Sequence, residues 1–190
     1  MTYTHHIRAA HDAILIGVDT LIGDNPSLTV RHCEGSSPVP IIIDSRLRTP
    51  LTCKLLTSPQ CVKPVIVTTT LCDPEAKSAL EGAGATIIVC NPTKEGRVDL
   101  CEAVDALYPL FNSIMVEGGA GIISSFLEGT EERKRVGQVI ITIAPLLVGG
   151  LRYCTKLLTT SAKDAYPSLT DTLVGVLDQD IVVIGKMVSL

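Results

Sequence analysis

The sequence has no tryptophan, and aromatic residues make up only 3% of its 190 residues. Its formal net charge is -4, and it contains no basic run. Without a basic surface or aromatic stacking platforms the chain has little means of holding nucleic acid, so we expect no nucleic-acid partner. With so few aromatic residues, a core must be built from Val, Ile, Leu and Ala, which is typical of buried parallel strands.

Long hydrophobic runs are missing as well. The apolar runs have the length of a strand, well short of the roughly 20 residues that span a bilayer, and the N-terminal stretch MTYTHHIRAAHD has no apolar signal segment. We therefore expect a soluble, cytoplasmic protein without a membrane partner. The hydrophobic content of 46% is enough for one well-buried core, which predicts a single domain over residues 1–190.

The sequence also lacks the motifs of disulfide frameworks and metal sites. Its seven cysteines are an odd number and form no C-x-x-C pair. Of the four histidines, His6 and His11 have the wrong spacing for one helical face, and no H-x-E is followed by the P-C-x-x-C of zinc deaminases. We expect no metal.

Strand and helix patterns alternate through the first 130 residues. The predicted strands are AILIG (13–17), VPIIIDS (39–45), PVIVTTT (64–70), TIIVC (86–90) and SIMVE (113–117). The predicted helices are residues 3–11, VDTLIGD up to Asn25, DPEAKSALEGAGA with Asp73 as its cap, DLCEAVDALYPL and AGIISSFLEG. Residues 46–63 are predicted to form a loop. This alternation indicates an α/β fold in three layers with a largely parallel central sheet.

The pattern changes after residue 130, where strands follow one another without helices. VGQVIITIAPLLVGG is predicted to contain a strand, and TLVGVLDQDIVVIGKMV to form an antiparallel hairpin that turns around Asp178-Gln179-Asp180. The sheet is therefore predicted to be mixed, parallel in the middle with antiparallel strands from the C-terminus.

Several polar side chains follow the first predicted strand closely. The 14 residues after the apolar run 13–17 contain Thr20, Asp24, Asn25 and Arg31. They could simply form a turn and loop in which Asp24-Asn25-Pro26 ends the short helix. They could also form a binding site, and the pattern alone leaves both interpretations open.

A second polar stretch, MVEGGAGIISSFLEG, places glycines between a predicted strand and a predicted helix. Backbone N–H groups in such a bend can approach a phosphate at the helix N-terminus. The match to G-x-G-x-x-G is incomplete because its last position is Ser124, so a mere tight turn is the alternative. Glu117 ends the strand at the place where open α/β sheets bind ligands, and a solvated strand end is its alternative.

Four stretches together resemble the reductase domain of riboflavin biosynthesis. They are HHIRAAHDAILIGVDTLIGDNPSLTVR, IIIDSRLRTP, MVEGGAGIISSFL and APLLVGG, in the family's order and approximate spacing over roughly residues 5–150. The resemblance implies a dihydrofolate reductase-like fold. It also implies the NADPH-dependent reduction of a pyrimidine ribosylamino phosphate, 2,5-diamino-6-(ribosylamino)pyrimidinone 5′-phosphate, to the ribitylamino compound. No deaminase signature accompanies the motifs, so the substrate before deamination is favoured.

The resemblance also assigns roles to individual residues. Matching the family's motifs implies that the cofactor is bound by Thr20, Asp24, Ser45, Gly119, Ala120, Gly121, Ile122, Ile123, Ser124 and Ser125. The substrate contacts implied in the same way are Arg8, Leu28, Arg31 and Glu117, with Glu117 also catalytic. Arg8 and Arg31 would supply forked cations for the sugar phosphate. No cation can be assigned to the cofactor's 2′-phosphate, which leaves NADH as an alternative to NADPH.

The family further implies a homodimer and a first strand and loop, of the type SLDGKIA, followed by a lysine contact. Nothing of that type precedes His5. We therefore expect a chain that folds but has little reductase activity, as if truncated relative to the family. Two other interpretations stay open: a catalytically impaired homologue that binds nucleotide or serves as a subunit, and a dihydrofolate reductase-like enzyme with another substrate.

Overall fold

The computed structural model describes residues 2–128, 134–146 and 168–188. The chain divides into two compact units, Met1–Gly119 and Ala120–Leu190. The single domain predicted over residues 1–190 stays a prediction.

The first unit alternates strands with helices, as the sequence predicts. Its strands are β1 (Ala13–Gly17), β2 (Val39–Ile43), β3 (Val65–Thr69), β4 (Thr86–Cys90) and β5 (Ile114–Val116). Its helices are α1 (Thr2–Ala9), α2 (Val18–Asp24), α3 (Lys54–Thr57), α4 (Pro74–Gly82) and α5 (Leu100–Leu107). All five predicted strands of this unit are confirmed.

The five strands form one sheet in the order β4-β3-β2-β1-β5, and every neighbouring pair is parallel. The chain moves outward from β1 to β4 and then returns to place β5 on the other side of β1. The gap between β1 and β5 is therefore the topological switch point, where the connections diverge and ligands of such sheets bind. The sheet thus fixes the position of a candidate site before any side chain is considered.

Branched aliphatic side chains build the core of this unit. Ile14, Ile16, Ile42 and Ile66, from the three central strands, are at most 1% exposed and belong to one buried cluster. Strands buried on both faces need such continuous apolar runs. The core therefore anchors the strand ends that carry the polar residues.

The predicted helix ends are confirmed by their capping contacts. Asp73 accepts a hydrogen bond from the backbone N–H of Glu75 at the start of α4, and Pro74 occupies the first turn. Helix α2 ends at Asn25, whose φ of 43° is left-handed. The residue before a proline is disfavoured in the α region, which explains why the helix stops there.

The loop predicted over residues 46–63 is wrong in one part, because Lys54–Thr57 form the short helix α3. A helix of four residues is too short for an apolar period to show in the sequence. Its N-cap, Cys53, makes no side-chain capping hydrogen bond, so the usual start signal is also missing. Burial of Leu55 and Leu56 in the core stabilises this turn instead.

The second unit contains α6 (Ala120–Glu128), β6 (Val139–Ile143), β7 (Leu169–Leu177) and β8 (Asp180–Met187). The predicted hairpin is confirmed, since β7 and β8 are antiparallel and Leu177 pairs with Asp180 across the turn. The three strands form a sheet of their own, in the order β6-β8-β7, instead of extending the parallel sheet as predicted. Of APLLVGG, residues 147–150 lie outside the described residues.

Candidate active site

Three of the predicted site residues follow strands at the carboxyl edge of the parallel sheet. Glu117 is the first residue after β5, Thr20 lies in the helix that directly follows β1, and Ser45 is the second residue after β2. Glu117 is still held by the sheet, because its backbone N–H donates to the carbonyl of Leu15 at 3.0 Å. The carboxylate therefore projects from a rigid element at the switch point.

The strongest polar contact of the site joins Arg8 to Glu117. Arg8 Nη2 donates to Glu117 Oε1 at 2.6 Å and Arg8 Nε donates to Oε2 at 2.9 Å, so the guanidinium and carboxylate meet as two parallel forks. The Arg8 side chain is 12% exposed and the Glu117 side chain 36% exposed. The pair ties α1 to the end of β5 and leaves about a third of the Glu117 side chain exposed to solvent.

Three of the five N–H donors of Arg8 are engaged within the protein. Its two forked donors are engaged by Glu117, and its Nη1 donates to the Thr29 carbonyl at 3.4 Å. The geometry gives Arg8 the role of orienting Glu117 and the loop that contains Thr29. The phosphate-binding role implied for Arg8 stays a prediction.

The loop around residues 28–31, which we call the substrate loop, is held at every position. Leu28 is buried in the core cluster and adopts a φ of 52°, which a branched side chain rarely does. The Val30 N–H donates to Ser37 Oγ at 3.0 Å, and the Arg31 N–H donates to His5 Nδ1 at 3.1 Å. The Arg31 side chain is exposed and makes no hydrogen bond or ion pair with any other described residue.

His5 lies underneath this loop and is only 5% exposed. Its ring meets the edge of the His32 ring, with centroids 4.6 Å apart and planes at 84°. Burial lowers the pKa of His5, the positive charges of Arg8, His32 and Arg31 lower it further, and Glu117 opposes them. His5 is therefore neutral in the folded protein near neutral pH.

Thr20 and Gly119 meet at the switch point. A Cβ built on Gly119 would lie 2.8 Å from Thr20 Oγ1, closer than real Cβ contacts come. A side chain at position 119 would therefore displace Thr20, and glycine is needed for this close approach. This contact supports the predicted glycine bend as more than a connecting turn.

Gly119→Ala is expected to destabilise the protein by about 1–3 kcal/mol, because the added methyl group overlaps Thr20. The matched control is Gly23→Ala in α2, where nothing lies within 4 Å of the added Cβ. That control should be neutral or slightly stabilising. Urea unfolding of both variants measures the difference, and equal stabilities would show that Thr20 moves aside freely.

Ser45 is fixed by two contacts that leave its hydroxyl proton available. Its Oγ accepts from the Val98 N–H at 3.0 Å, and its carbonyl accepts from Thr69 Oγ1 at 2.9 Å. Neighbouring Asp44 is fully buried and accepts from both the N–H and the hydroxyl of Thr49 at 2.8 Å. Asp44 thus closes the turn that presents Ser45.

The remaining predicted cofactor contacts are placed less closely. Asp24 is exposed at the last position of α2 and contacts none of the other predicted site residues through a hydrogen bond in the described ranges. In the second unit, the first turn of α6 carries no acidic residue, which suits an anion. Ser125 Oγ donates back to the Gly121 carbonyl at 2.9 Å, so its proton is already used within the helix.

A cavity of about 450 Å³ lies at the opposite, amino edge of the sheet. Asp12 lines it, but its carboxylate already accepts from the backbone N–H groups of Asn112 and Ser113. His11 also lines it and bonds through Nδ1 to the Ile7 carbonyl at 2.7 Å. Its polar groups are thus satisfied locally, and the carboxyl edge remains the candidate site.

Sequence reasoning missed three residues that organise the site: His5, Thr29 and Asp44. One signal existed for His5, since it lies three residues before Arg8 on a predicted helix and so shares its face. Asp44 directly precedes Ser45 at a strand end, but nothing in the sequence indicates that its carboxylate is fully buried. The part played by Thr29 depends on its backbone carbonyl, which no side-chain pattern reveals.

Across the described residues, no group of three or more His, Cys, Asp or Glu side chains is arranged to hold a metal ion. The helices of the same residues include none with the length and apolar character to cross a bilayer. The sheet, its switch point and the Arg8–Glu117 pair define an α/β protein with a candidate polar site at the carboxyl edge of its strands. The chain belongs to the RibD C-terminal domain family, whose model matches residues 1–183.

Curated relatives agree with this family. The chain is 36% identical over 150 residues to the 2,5-diamino-6-ribosylamino-4(3H)-pyrimidinone 5′-phosphate reductase of Aquifex aeolicus, a match that covers 78% of this chain and 63% of that protein. It is 31% identical over 150 residues to the reductase of the same name from Methanothermobacter thermautotrophicus, covering 77% of this chain and 65% of that one. The chain thus spans somewhat less than two thirds of the length of these relatives.

Solved structures confirm the predicted fold. The riboflavin biosynthesis reductase Rib7 of Saccharomyces cerevisiae superposes with a TM-score of 0.74 at 26% identity, covering 98% of this chain and 80% of that one. RibD of Acinetobacter baumannii superposes with a TM-score of 0.73 at 25% identity, covering 98% of this chain and 50% of that one. The dihydrofolate reductase-like fold and the family resemblance stated from the sequence are both confirmed.

Proposed function

We propose that this chain catalyses the NADPH-dependent reduction of 2,5-diamino-6-(ribosylamino)pyrimidin-4(3H)-one 5′-phosphate to its ribitylamino product, a step of riboflavin biosynthesis. The names of its relatives support the substrate, since two of them are reductases of this pyrimidinone phosphate. The observation that carries the proposal is the Arg8–Glu117 fork at the switch point, joined through Arg8 and His5 to the substrate loop. One helix face thereby holds both the carboxylate and the loop that carries the exposed cation of Arg31.

Arg31 is the residue that we assign to the sugar phosphate. Its backbone is fixed by His5, whereas its guanidinium is exposed to solvent. A guanidinium matches the paired oxygens of a phosphate, and a fixed backbone lowers the entropy that is lost on binding. Leu28, three residues before Arg31, is buried and sets the start of the loop against the core.

Glu117 is assigned to the reacting sugar, with Arg8 fixing the direction of its carboxylate. The fork constrains both oxygens, so the side chain is already oriented before substrate binds. Its exposed face can accept a hydrogen bond from a sugar hydroxyl. Placing an anion there also favours the positive charge that develops as an imine nitrogen takes up a proton.

The residues present fit a nicotinamide cofactor at the other side of the switch point. Thr20, the close approach of Gly119 and the Ser45 hydroxyl provide donors and space, as the sequence resemblance implies. When bound, NADPH supplies a hydride. The hydride would add to C1′ of the open-chain imine form of the substrate, and the C=N π electrons would pass to the nitrogen, which would take a proton from water.

Arg31→Ala is expected to raise the KM for the pyrimidine phosphate, because one charge-assisted contact is lost. Such a contact contributes about 1.5–3 kcal/mol, or roughly 10- to 150-fold in KM. The rate of the chemical step should change little. Lys94→Ala, which removes an exposed positive charge elsewhere, is the matched control. Steady-state kinetics at fixed ionic strength measures both variants, and an unchanged KM in Arg31→Ala would remove Arg31 from the phosphate site.

The proposed function itself is tested by the identity of the product. The protein is incubated with the pyrimidine ribosylamino phosphate and NADPH, and mass spectrometry follows the substrate. The proposal predicts the gain of two hydrogen atoms in the sugar chain together with equimolar oxidation of NADPH. Oxidation of NADPH with a different acceptor, such as a dihydropterin, but none with the pyrimidine would overturn the substrate assignment.

A further inference from the structure

One face of α1 holds the substrate loop from two sides. His5 and Arg8 are three residues apart and therefore neighbours on that face. Arg8 donates to the Thr29 carbonyl, and His5 accepts from the Arg31 N–H two residues later. Arg8 also holds Glu117, whereas the contacts of His5 lie at Arg31 and His32. His5 is thus the member of the pair that is specific to the substrate loop.

The contact of His5 with the loop fixes its protonation state. A backbone N–H can only donate, so the Arg31 N–H at 3.1 Å requires an unprotonated, accepting Nδ1. The single ring proton of neutral His5 must then be on Nε2. Protonating Nδ1 would set two N–H groups against each other and break the contact.

The surroundings of His5 also disfavour its positive charge. The ring is buried, and the charged or titratable groups that face it are Arg8, Arg31, His32 and Glu117. Arg8 and Arg31 are cationic, and the one carboxylate is already paired with Arg8. A second positive charge beside Arg8 and Arg31 would therefore loosen the loop as well as break the hydrogen bond.

We propose that His5 is a positioning residue for substrate binding, whose neutral Nε2–H tautomer holds the Arg31 backbone so that its guanidinium meets the substrate phosphate. This inference rests on the proposed function, because it names what prepares the phosphate site. His5 acts through Arg31 and does not itself touch the substrate. Its effect is accordingly on substrate affinity and not on the chemical step.

The direction of the pKa shift of His5 determines how substrate affinity depends on pH. The pKa of His5 is lowered from its ordinary value of about 6.5, so the folded protein holds this proton less tightly than the unfolded chain. The hydrogen bond is fully present above about pH 6.5. It is lost as the pH falls through the lowered pKa, and substrate affinity falls with it.

Two substitutions of His5 separate the hydrogen bond from the charge. His5→Leu fills the buried position with an apolar side chain and removes the acceptor. It should raise KM on the order of tenfold while kcat changes less than about twofold. His5→Asn offers Oδ1 in place of Nδ1 and cannot titrate, so its KM should stay within about twofold of wild type at pH 7.5. His6→Asn, on exposed neighbouring His6, is the matched control.

The pH dependence of KM distinguishes this positioning role from a purely structural role of His5. As the pH falls below about 6.5 and through the lowered pKa of His5, down to the acid limit of folding, the KM of the wild type should rise more steeply than that of His5→Asn. The substrate phosphate, whose second pKa is about 6, titrates equally in both proteins, so the difference between them isolates His5. Parallel profiles, or a His5→Leu variant with wild-type KM, would overturn the proposal.

A measurement without turnover keeps this inference distinct from the proposed function. The ¹⁵N shifts of the His5 ring report its tautomer, and the affinity for ribose 5-phosphate reports the phosphate site. We expect an unprotonated Nδ1 at pH 7.5 and weaker ribose 5-phosphate binding by His5→Leu, even if the pyrimidine is not reduced. A protonated Nδ1, or equal ribose 5-phosphate affinity in wild type and His5→Leu, would contradict the inference alone.

Discussion

Glu117→Gln is expected to lower the rate of substrate-dependent NADPH oxidation by about 100-fold, the lower end of the range for the loss of one preorganised electrostatic contact. The amide is nearly the same size and can still accept one hydrogen bond from Arg8, so the fold should persist. The loss comes from the missing negative charge beside the reacting sugar. Affinity for NADPH should change by less than about threefold, because Glu117 belongs to the substrate side of the site.

Glu81→Gln is the matched control, since Glu81 is an exposed helical carboxylate whose ion pair with Lys77 is a loose 3.9 Å. Single-turnover rates give the chemical step, and fluorescence titration gives the NADPH affinity. Glu117→Gln with the rate of wild type would reduce Glu117 to a solvated strand end. A loss confined to NADPH affinity would instead move Glu117 to the cofactor side.

Arg8→Met should be the most destabilising of the charge substitutions. It keeps the apolar stem but leaves a half-buried Glu117 without its fork, which we expect to cost about 1–2 kcal/mol after allowing for the exposed side of the carboxylate. The double variant Arg8→Met/Glu117→Gln should be more stable than Arg8→Met alone, because no unpaired charge is left. The rates of the single and double variants should be similarly low, as expected for residues that act as a unit.

Arg48→Met provides the comparison for this pair. Arg48 meets Asp19 at 2.7 Å, but their side chains are 52% and 85% exposed. An exposed pair of this kind contributes little, so we expect a change within about 0.5 kcal/mol in the free energy of unfolding. Urea unfolding measures both variants. Equal destabilisation by Arg8→Met and Arg48→Met would show that the Arg8–Glu117 fork stabilises the fold no more than an exposed ion pair does.

The sequence was sufficient to locate the strand ends that carry the site. The apolar runs 13–17, 39–43 and 113–117 have the flanking residues of buried strands, so Thr20, Ser45 and Glu117 could be placed at or after their ends. Their meeting at one edge followed from parallel pairing. The return of β5 to the side of β1, which makes the switch point, depends on pairing between residues about 100 positions apart and had no local signal.

The contacts within the site were less accessible to sequence reasoning. Arg8 was predicted to bind phosphate because a forked cation in a family motif suits that ligand. Its engagement by Glu117 joins residues 109 positions apart, and only the folded chain shows that the fork is already used. The same holds for His5, whose acceptor role depends on a backbone N–H of the substrate loop.

Label transfer in a single turnover tests the proposed reaction most directly. Protein in excess over the pyrimidine ribosylamino phosphate is mixed with NADPH deuterated at both C4 positions, and the product is analysed by mass spectrometry, so that even slow chemistry is detected. The proposed reaction predicts one deuterium at C1′ of a ribitylamino product, formed about 100-fold more slowly by Glu117→Gln. Binding of both molecules without deuterium transfer, or transfer to another atom, would contradict it.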